Sequence, residues 1–242
     1  MALLSEPAVA IVGARACSPY GAQVARMLGR ELGAAGVLVV SGLARGIDGE
    51  AHLGALAGGG HTVAVLGCGI DRDYPAAHAA LARSIGERSL IVSEYEAGVE
   101  PAPWRFPARN RIIAGLCAAT VVVEARERSG ALITADFALE EGREVFAVPG
   151  EITSALSAGS NALLRLGATP LTAAVDVLES LGIQPPPDRA VAANPLLDLL
   201  PATADELVRR TGLAVGEVIA ALAELDVAGL AAEGDGIYRR LA

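Results

Sequence analysis

A short basic stretch in an otherwise acidic chain is the first place where the sequence could do chemistry. Three arginines and two aromatic residues fall within eight positions: Trp104, Arg105, Phe106, Arg109 and Arg111. Residues 101–123 contain no Asp or Glu, although the 242-residue chain has a net charge of −9. Guanidinium groups bind phosphate oxygens, and aromatic rings stack on unpaired bases. The stretch therefore predicts a site for an anionic polymer.

Glycines, arginines and carboxylates also follow the ends of the predicted strands. They are Gly13 and Arg15, residues 41–46 (Ser-Gly-Leu-Ala-Arg-Gly), residues 67–69 (Gly-Cys-Gly), Ser93 and Glu94, residues 124–128, and Pro149 and Gly150. In an open parallel sheet, ligands bind outside the carboxyl ends of the strands. Glycine there lets backbone amides approach an anion, and a following helix adds its dipole. Several such loops predict a phosphate-binding groove, whereas some, residues 67–69 in particular, can be ordinary tight turns.

Six short apolar runs would position these loops. They are Val9–Val12, Val37–Val40, Thr62–Leu66, Leu90–Val92, Ala119–Val123 and Glu144–Val148. Their first residues lie 28, 25, 28, 29 and 25 positions apart, which is the repeat of a β-α-β unit. Ser18 and Pro19 predict the start of a helix that Gly36 ends, and Ser129 predicts the cap of another over residues 131–141. The pattern predicts a doubly wound α/β domain with a mostly parallel sheet.

The chain changes character near Gly182. Residues 183–194 include three consecutive prolines and show no periodicity, which predicts a semi-rigid linker between a domain over residues 1–182 and a smaller one over residues 195–242. The predicted elements of the smaller domain are helices over residues 203–210 and 214–225 and strands over residues 230–233 and 237–240 around a Gly-Asp-Gly turn. This is the order of a winged helix.

The composition excludes several kinds of site. All 19 Lys or Arg residues are arginine, so neither a P-loop lysine nor a Schiff-base lysine is available. No Gly-x-Gly-x-x-Gly opens a helix, and Ser41 does not lie in a Gly-x-Ser-x-Gly elbow. The three histidines lack ligands at metal spacing, so we expect no metal and no cofactor. Three widely spaced cysteines indicate reduced thiols in a cytoplasmic protein, and no apolar run is long enough to span a membrane.

Four carboxylates near the strand ends each have two interpretations. Glu94, Glu96 and Glu124 are candidate general bases or, more simply, solvated residues and partners of arginines. Asp48 is a residue that suits a helix start, or else an anchor for a neighbouring arginine.

Seven segments together resemble the DNA-processing protein A (DprA/Smf) family. They are VGAR (12–15), SGLARGID (41–48), LGCGIDRDYP (66–75), FPARNRIIAGL (106–116), EARERSGALITA (124–135), VFAVPG (145–150) and GSNALLRLGA (159–168). With the winged-helix order, the resemblance runs from about Val9 to the C-terminus. It implies an extended Rossmann-like domain that binds single-stranded DNA, dimerises, protects incoming strands and loads the recombinase RecA during natural transformation, without a chemical activity. Many members also have an N-terminal helical domain. Because this chain starts directly at the first strand, we expect that domain to be absent or to have been removed.

The family's DNA contacts transfer where the motifs align. Together with the loop residues above, the expected contacts are Gly13, Arg15, Ser41, Gly42, Arg45, Gly46, Arg109, Asn110, Arg111, Arg128, Ser129 and Gly130. Arg45 is expected on a phosphate. Arg128 stands where the family often has lysine, which keeps the charge but changes its geometry. Ser129 and Gly130 offer donors at a helix N-terminus.

Other residues keep two interpretations under this resemblance. A base pocket is expected near Phe106 or Phe137, although either ring can belong to the core, and Phe137 more simply does. The family's dimer contact is expected near three leucines, which can equally pack against the sheet: Leu163, Leu164 and Leu166.

The charge of the C-terminal domain sets the remaining hypotheses. From Pro195 onward there are four arginines and eight carboxylates, a net charge of −4. Such a domain repels a phosphate backbone, so we expect a protein contact or a regulatory role rather than duplex recognition. The alternative for the whole chain is a nucleotide-binding enzyme that hydrolyses N-glycosidic bonds on a related fold. Its Pro-Gly-Gly-x-Gly-Thr-x-x-Glu signature is missing, and the nearest string is Pro-Gly-Glu at residues 149–151.

Overall fold

A computed structural model of the chain describes residues 2–184, 196–227, 230–234 and 236–240. It divides into two compact units, Met1–Pro186 and Pro187–Ala242. Most of the linker predicted over residues 183–194, and the central Asp235 of the predicted hairpin turn, lie outside the described residues. None of the helices seen in the described residues is both long enough and apolar enough to span a membrane.

The larger unit is built on a parallel sheet. Its strands are Ala8–Val12 (β1), Leu38–Ser41 (β2), Thr62–Leu66 (β3), Leu90–Ser93 (β4), Ala119–Val122 (β5), Glu144–Ala147 (β6) and Thr169–Pro170 (β7). Their spatial order is β4-β3-β2-β1-β5-β6-β7, and each neighbouring pair is parallel. The six predicted strands are confirmed to within one residue at each end. The two-residue β7 was not predicted, because two residues carry no periodic pattern.

Helices cover both faces of this sheet, as a doubly wound fold requires. They are Pro19–Ala34 (α1), Ile47–Ala57 (α2), Ala79–Arg88 (α3), Arg105–Gly115 (α4), Gly130–Glu140 (α5), Ala158–Arg165 (α6) and Ala174–Ser180 (α7). Successive strand residues face opposite sides. Val9 and Ile11 therefore pack with α1, α2 and α7, whereas Ala10 and Val12 pack with α4 and α5. Every residue of β1, β2, β3 and β5 is buried.

The predicted helix boundaries have the expected physical causes. Ser18 caps α1, since its Oγ accepts a hydrogen bond from the Gly21 amide at 3.0 Å, and Pro19 is the first helical residue. Gly36 follows the helix with a φ of +80°, a conformation that costs glycine little. Ser129 caps α5 through the Ala131 amide at 3.3 Å.

Glycines bring α1 and α2 unusually close. A Cβ atom on Gly29 would lie 2.3 Å from the Ala51 carbonyl oxygen, and one on Gly54 would lie 2.2 Å from the Arg26 carbonyl oxygen. Real Cβ atoms do not approach backbone so closely, so glycine is required at both positions. Because α1 follows β1 and α2 follows β2, this contact also fixes the spacing of the two loops that precede the helices.

A buried hydrogen-bond chain joins α2 to the sheet. The Thr62 hydroxyl donates to the Val39 carbonyl oxygen at 2.7 Å, and His52 Nδ1 lies 2.6 Å from the same hydroxyl oxygen. Since the single hydroxyl proton is already used, Nδ1 must carry a proton and donate it. His52 Nε2 is buried without a partner among the described residues. Burial lowers the pKa of His52 to about 3, so the imidazole is neutral.

The smaller unit has the predicted winged-helix order. Its elements are Ala204–Thr211 (α8), Val215–Val227 (α9), Ala231–Gly234 (β8) and Ile237–Arg240 (β9). Thr203 and Glu206 form a capping box at the start of α8. Leu207, Val218 and Leu222 are buried in its separate core. The strands β8 and β9 pair antiparallel, which confirms the wing.

Candidate nucleic-acid interface

The loops at the carboxyl edge of the sheet enclose a cleft of about 360 Å³. The strand β1 pairs with β2 on one side and β5 on the other, so the strand order reverses there, and ligands bind at such an edge. Four chain segments supply the lining: the loops after β1, β2 and β3, and the first two turns of α4. The main lining residues are Arg15, Gly42, Arg45, Gly67, Tyr74, Phe106 and Arg109.

Aromatic rings and a guanidinium group form one wall of the cleft. Tyr74 and Phe106 stack with their ring centroids 5.3 Å apart and their planes at 22°. The Arg15 Cζ atom lies over the Phe106 ring at 5.0 Å from its centroid. A Cβ on Gly67 would lie 2.8 Å from the Phe106 ring, so the glycine is what lets the ring approach the end of β3. This wall offers π faces and a cation, the two features that bind an unpaired nucleotide.

The loop after β2 is held from within by Asp48. Its Oδ2 atom accepts hydrogen bonds from the amides of Gly42 at 3.1 Å and Ala44 at 3.4 Å. Leu43 adopts the left-handed region with a φ of +57°, and Gly46 follows with a φ of +76°. A Cβ on Gly46 would lie 2.3 Å from the Ala14 carbonyl oxygen. Asp48 lies in the first turn of α2, as its helix-start interpretation expects, and it anchors the loop amides without forming a direct ion pair with an arginine of the described residues.

Arg109 is buried and holds the same loop as Asp48, through a different atom of Gly42. The residue is only 3% exposed, and its Nη1 donates to the Gly42 carbonyl oxygen at 2.8 Å and to the Val65 carbonyl oxygen. Burial lowers the pKa of Arg109, which the Asp48 charge partly offsets. Burial likewise raises the pKa of Asp48 against the opposing effect of Arg109. Arg109 thus joins the ends of β2 and β3, and its charge lies behind the cleft surface.

Arg15 and Arg45 are the exposed cations of the cleft. Both line it, and neither forms an ion pair with a carboxylate of the described residues. Their side chains are therefore free to pair with an anionic ligand. Ser41 differs from them, because it is fully buried and its hydroxyl donates to the Ile11 carbonyl oxygen at 2.6 Å. Its side chain supports β2 and does not face the cleft.

The other predicted contacts lie along the same edge, beside the cleft. Gly13 and Asn110 line a small recess that shares Arg15 and Arg109 with the cleft. Asn110 Nδ2 donates to the Gly130 carbonyl oxygen at 3.1 Å, which ties α4 to the start of α5. Arg128 and Ser129 line a separate depression at the N-terminus of α5, together with Asp136 and Leu166. Arg111 lies outside these cavities and forms an exposed ion pair with Glu94.

Two carboxylates that the sequence left open are engaged in contacts. Glu94 pairs with Arg111, which is the simpler of its two interpretations. Glu124 is 3% exposed and accepts hydrogen bonds from the Ser18 amide at 2.9 Å and the Ser18 hydroxyl at 2.5 Å. It thus occupies the N-terminus of α1, beside a cavity of about 610 Å³ that Tyr20 and Pro149 also line. Across the described residues no cluster of three His, Cys, Asp or Glu side chains could hold a metal ion.

Sequence reasoning missed Tyr74 and the part played by residues 67–69. From the sequence alone, the Gly-Cys-Gly string is most simply interpreted as a tight turn. In the structure, Gly67 and Cys68 also line the cleft. The signal was present in the segment LGCGIDRDYP, which follows β3 and contains both glycines and the tyrosine. Phe137 is partly buried against the core, as its simpler interpretation expects, and so is Leu164, whereas Leu166 is 85% exposed.

Family models related to one another match both parts of the chain. The family model of the DNA recombination-mediator protein A matches residues 1–182, and that of the DprA winged helix domain matches residues 183–236. The DNA processing protein DprA of Streptococcus pneumoniae is 51% identical over 180 residues, which are 73% of this chain and 62% of that protein. The chain thus spans less than two thirds of the length of this relative.

Two solved structures share the fold. The X-ray structure of DprA from Streptococcus pneumoniae matches with a TM-score of 0.69 and 48% identity, over 73% of this chain and 62% of that one. DNA processing protein A from Helicobacter pylori matches with a TM-score of 0.69 and 32% identity, over 75% of this chain and 83% of that one. The latter structure concerns that protein's single-stranded DNA binding mode. The matched motifs, the sheet and the winged helix show that this chain belongs to the DNA recombination-mediator protein A (DprA/Smf) family.

Proposed function

We propose that this chain binds single-stranded DNA at the carboxyl edge of its sheet, as a recombination mediator without a chemical activity. In this role it protects incoming strands and loads RecA onto them during natural transformation, as a homodimer in the cytoplasm. The description of the matching family and the single-stranded DNA binding of the Helicobacter pylori relative support this proposal.

One observation carries the proposal: two exposed, unpaired arginines share a cleft with a stacked aromatic pair. Arg15 and Arg45 can each present a fork of donors to phosphate oxygens, and Tyr74, which is 40% exposed and stacked on Phe106, provides a π face. Bases are accessible to such a wall only where they are unpaired, because in a duplex they stack on one another. The combination therefore favours a single strand over a duplex.

Arg109 and Asp48 have a supporting role in this proposal. Arg109 is almost fully buried and bonded to two backbone carbonyls, so it shapes the loop that carries Arg45 and does not bind a phosphate itself. Gly13, Asn110, Arg128, Ser129 and Gly130 continue the site toward α5, where the helix N-terminus adds a favourable dipole for a phosphate. Ser41 acts only through β2.

The proposed roles of the dimer and of the winged helix rest on exposure and on charge. Leu166 is 85% exposed at the end of α6, which suits a protein contact. The winged-helix segment has the net charge of −4 noted above, so we expect that it does not bind the DNA strand and that the larger unit does.

A salt-dependent binding experiment tests this function. Fluorescence anisotropy should show tighter binding of an oligothymidylate than of a duplex of equal length, and little binding of free nucleotides. Arg45→Ala should weaken binding about tenfold and reduce the slope of log affinity against log salt by about one, since one phosphate contact is lost. Arg143→Ala is the matched control, because Arg143 is an exposed arginine next to the start of β6, at the opposite edge. Equal affinity for single strand and duplex, or equal behaviour of the two variants, would contradict the proposal.

A further inference from the structure

The most exposed large aromatic side chain described in the larger unit lies next to the cleft. Trp104 is 64% exposed and is the only tryptophan of the 242 residues. It immediately precedes α4, whose second residue is Phe106 of the cleft wall. Since α4 connects β4 to β5, its N-terminus lies at the carboxyl edge of the sheet. An exposed indole ring beside this cleft offers a large flat surface on which an unpaired base can stack.

Arg105 holds the tryptophan ring from one side. The Arg105 Cζ atom lies 5.0 Å from the centroid of the Trp104 ring and 5.2 Å from that of Tyr95. The guanidinium group also donates to the Glu100 carbonyl oxygen. These contacts orient the indole and cover one of its faces, and the large exposed fraction leaves the other face open to solvent.

The guanidinium group of Arg105 is available to an anionic ligand. Among the described residues, Arg105 forms no ion pair with a carboxylate. The neighbouring acids Asp71 and Glu100 lie instead against Arg72, at 3.7 Å and 3.4 Å. Arg105 thus places an unpaired guanidinium group directly behind the exposed ring.

We propose that Trp104 is a second stacking platform for the bound strand, on which an unpaired base lies against the open indole face while Arg105 attracts the adjoining phosphate. This inference rests on the proposed function and extends the path of the strand from the Tyr74–Phe106 wall across the start of α4. The stack of base, indole, guanidinium and phenol continues the pattern of Arg15 over Phe106. It requires an unpaired base and is indifferent to which base it is.

The fluorescence of the single tryptophan reports this contact directly. Titration of the full chain with an oligothymidylate should quench the Trp104 emission in parallel with the anisotropy of a labelled strand. Trp104→Ala should weaken affinity about tenfold, within the range that stacking on one base supplies, and should leave the salt slope unchanged because no phosphate contact is lost. Trp104→Phe should retain most of the affinity. Leu139→Ala, which removes an exposed apolar side chain at the far end of α5, is the matched control and should change nothing.

The outcomes separate this inference from the proposed function. Two results would contradict the second platform: strand binding with the expected salt dependence but no change in Trp104 emission, or wild-type affinity of Trp104→Ala. In either case only the cleft binds the strand. If the wild type binds no single strand at all, the proposed function is wrong and this inference is overturned with it. Unchanged melting curves for both Trp104 variants show that a loss of affinity is not a loss of folding.

Discussion

Replacing Arg109 by methionine should destabilise the larger unit severely, although the same substitution at Arg111 should not. Arg109 is buried beside Asp48 and bonded to two carbonyl oxygens, whereas the Arg111 side chain is 54% exposed and pairs with Glu94 in water. Methionine is of similar length but leaves Asp48 as a buried carboxylate without its cation. Leaving a buried carboxylate without its compensating charge, and two buried carbonyl groups without their donor, costs about 3–5 kcal/mol, whereas an exposed pair contributes about 0–1 kcal/mol.

The penalty should depend on pH in a direction that the structure fixes. Burial already raises the pKa of Asp48, and removal of the Arg109 charge raises it further. The folded variant therefore holds a proton on Asp48 over a range in which the unfolded chain has lost it. This protonation stabilises the folded variant at low pH, and the stabilisation is lost as the pH rises through the folded-state pKa. The difference between variant and wild type should therefore be smaller at about pH 4, near the ordinary pKa of an aspartate, than at about pH 7.

Urea unfolding of Arg109→Met, Asp48→Asn and the double variant measures the coupling. Asparagine keeps an oxygen that can accept from the amides of Gly42 and Ala44, so it removes the charge and little else. The double variant should be more stable than the sum of the single losses predicts, by about 1–3 kcal/mol. Additive losses, or equal effects of Arg109→Met and Arg111→Met, would refute the view that Arg109 and Asp48 form one supporting unit.

Two further predictions concern stability. His52→Gln should make the larger unit less sensitive to acid: because the pKa of His52 is lowered to about 3, the wild type loses stability as the pH falls below about 6.5, by about 2 kcal/mol at pH 5. Chemical denaturation at about pH 6.5 and about pH 5 checks this, with a variant of the exposed His61, His61→Gln, as the control. The same loss of stability in the wild type, His52→Gln and His61→Gln would count against it. Gly29→Ala should cost at least about 1–3 kcal/mol, since its Cβ would meet the Ala51 carbonyl oxygen at 2.3 Å. Gly86→Ala, where the nearest atom is 3.8 Å away, should be neutral or stabilising, and a similar melting temperature for both variants would show that α1 and α2 can separate.

The sequence predicted the sheet well because buried parallel strands leave a local signature. Each of β1 to β6 is a short, mostly apolar run between helices, and burial on both faces of β1, β2, β3 and β5 removes the alternation of polar and apolar residues. The strand β7 has no such signature, since Thr169 and Pro170 are too few to show a pattern. Its pairing with β6 depends on the preceding helix α6, which only the fold reveals.

The candidate site was predictable by region but not by the role of each residue. Arg109 and Arg111 are two positions apart on a helix, so they project in nearly opposite directions, one toward the sheet and one toward solvent. A stretch without acids in the sequence is also not free of acids in space, because Glu94 from the end of β4 meets Arg111. Tyr74 reaches Phe106 across 32 positions of chain, a contact that no local pattern encodes.

Two of the protein's own carboxylates accept from backbone amides that could otherwise bind a phosphate. The Asp48 carboxylate accepts hydrogen bonds from two amides of the loop after β2, and the Glu124 carboxylate accepts one from the Ser18 amide at the start of α1. Under the proposed function, the anionic ligand is bound instead by separate surface arginines such as Arg15 and Arg45. A monomer can satisfy only one or two of them, whereas a polymer engages them in succession, each contact raising the effective concentration of the next. The carboxyl edge of the sheet should therefore select ligands by length. It should bind free nucleotides poorly and bind strands that are long enough to contact several arginines at once.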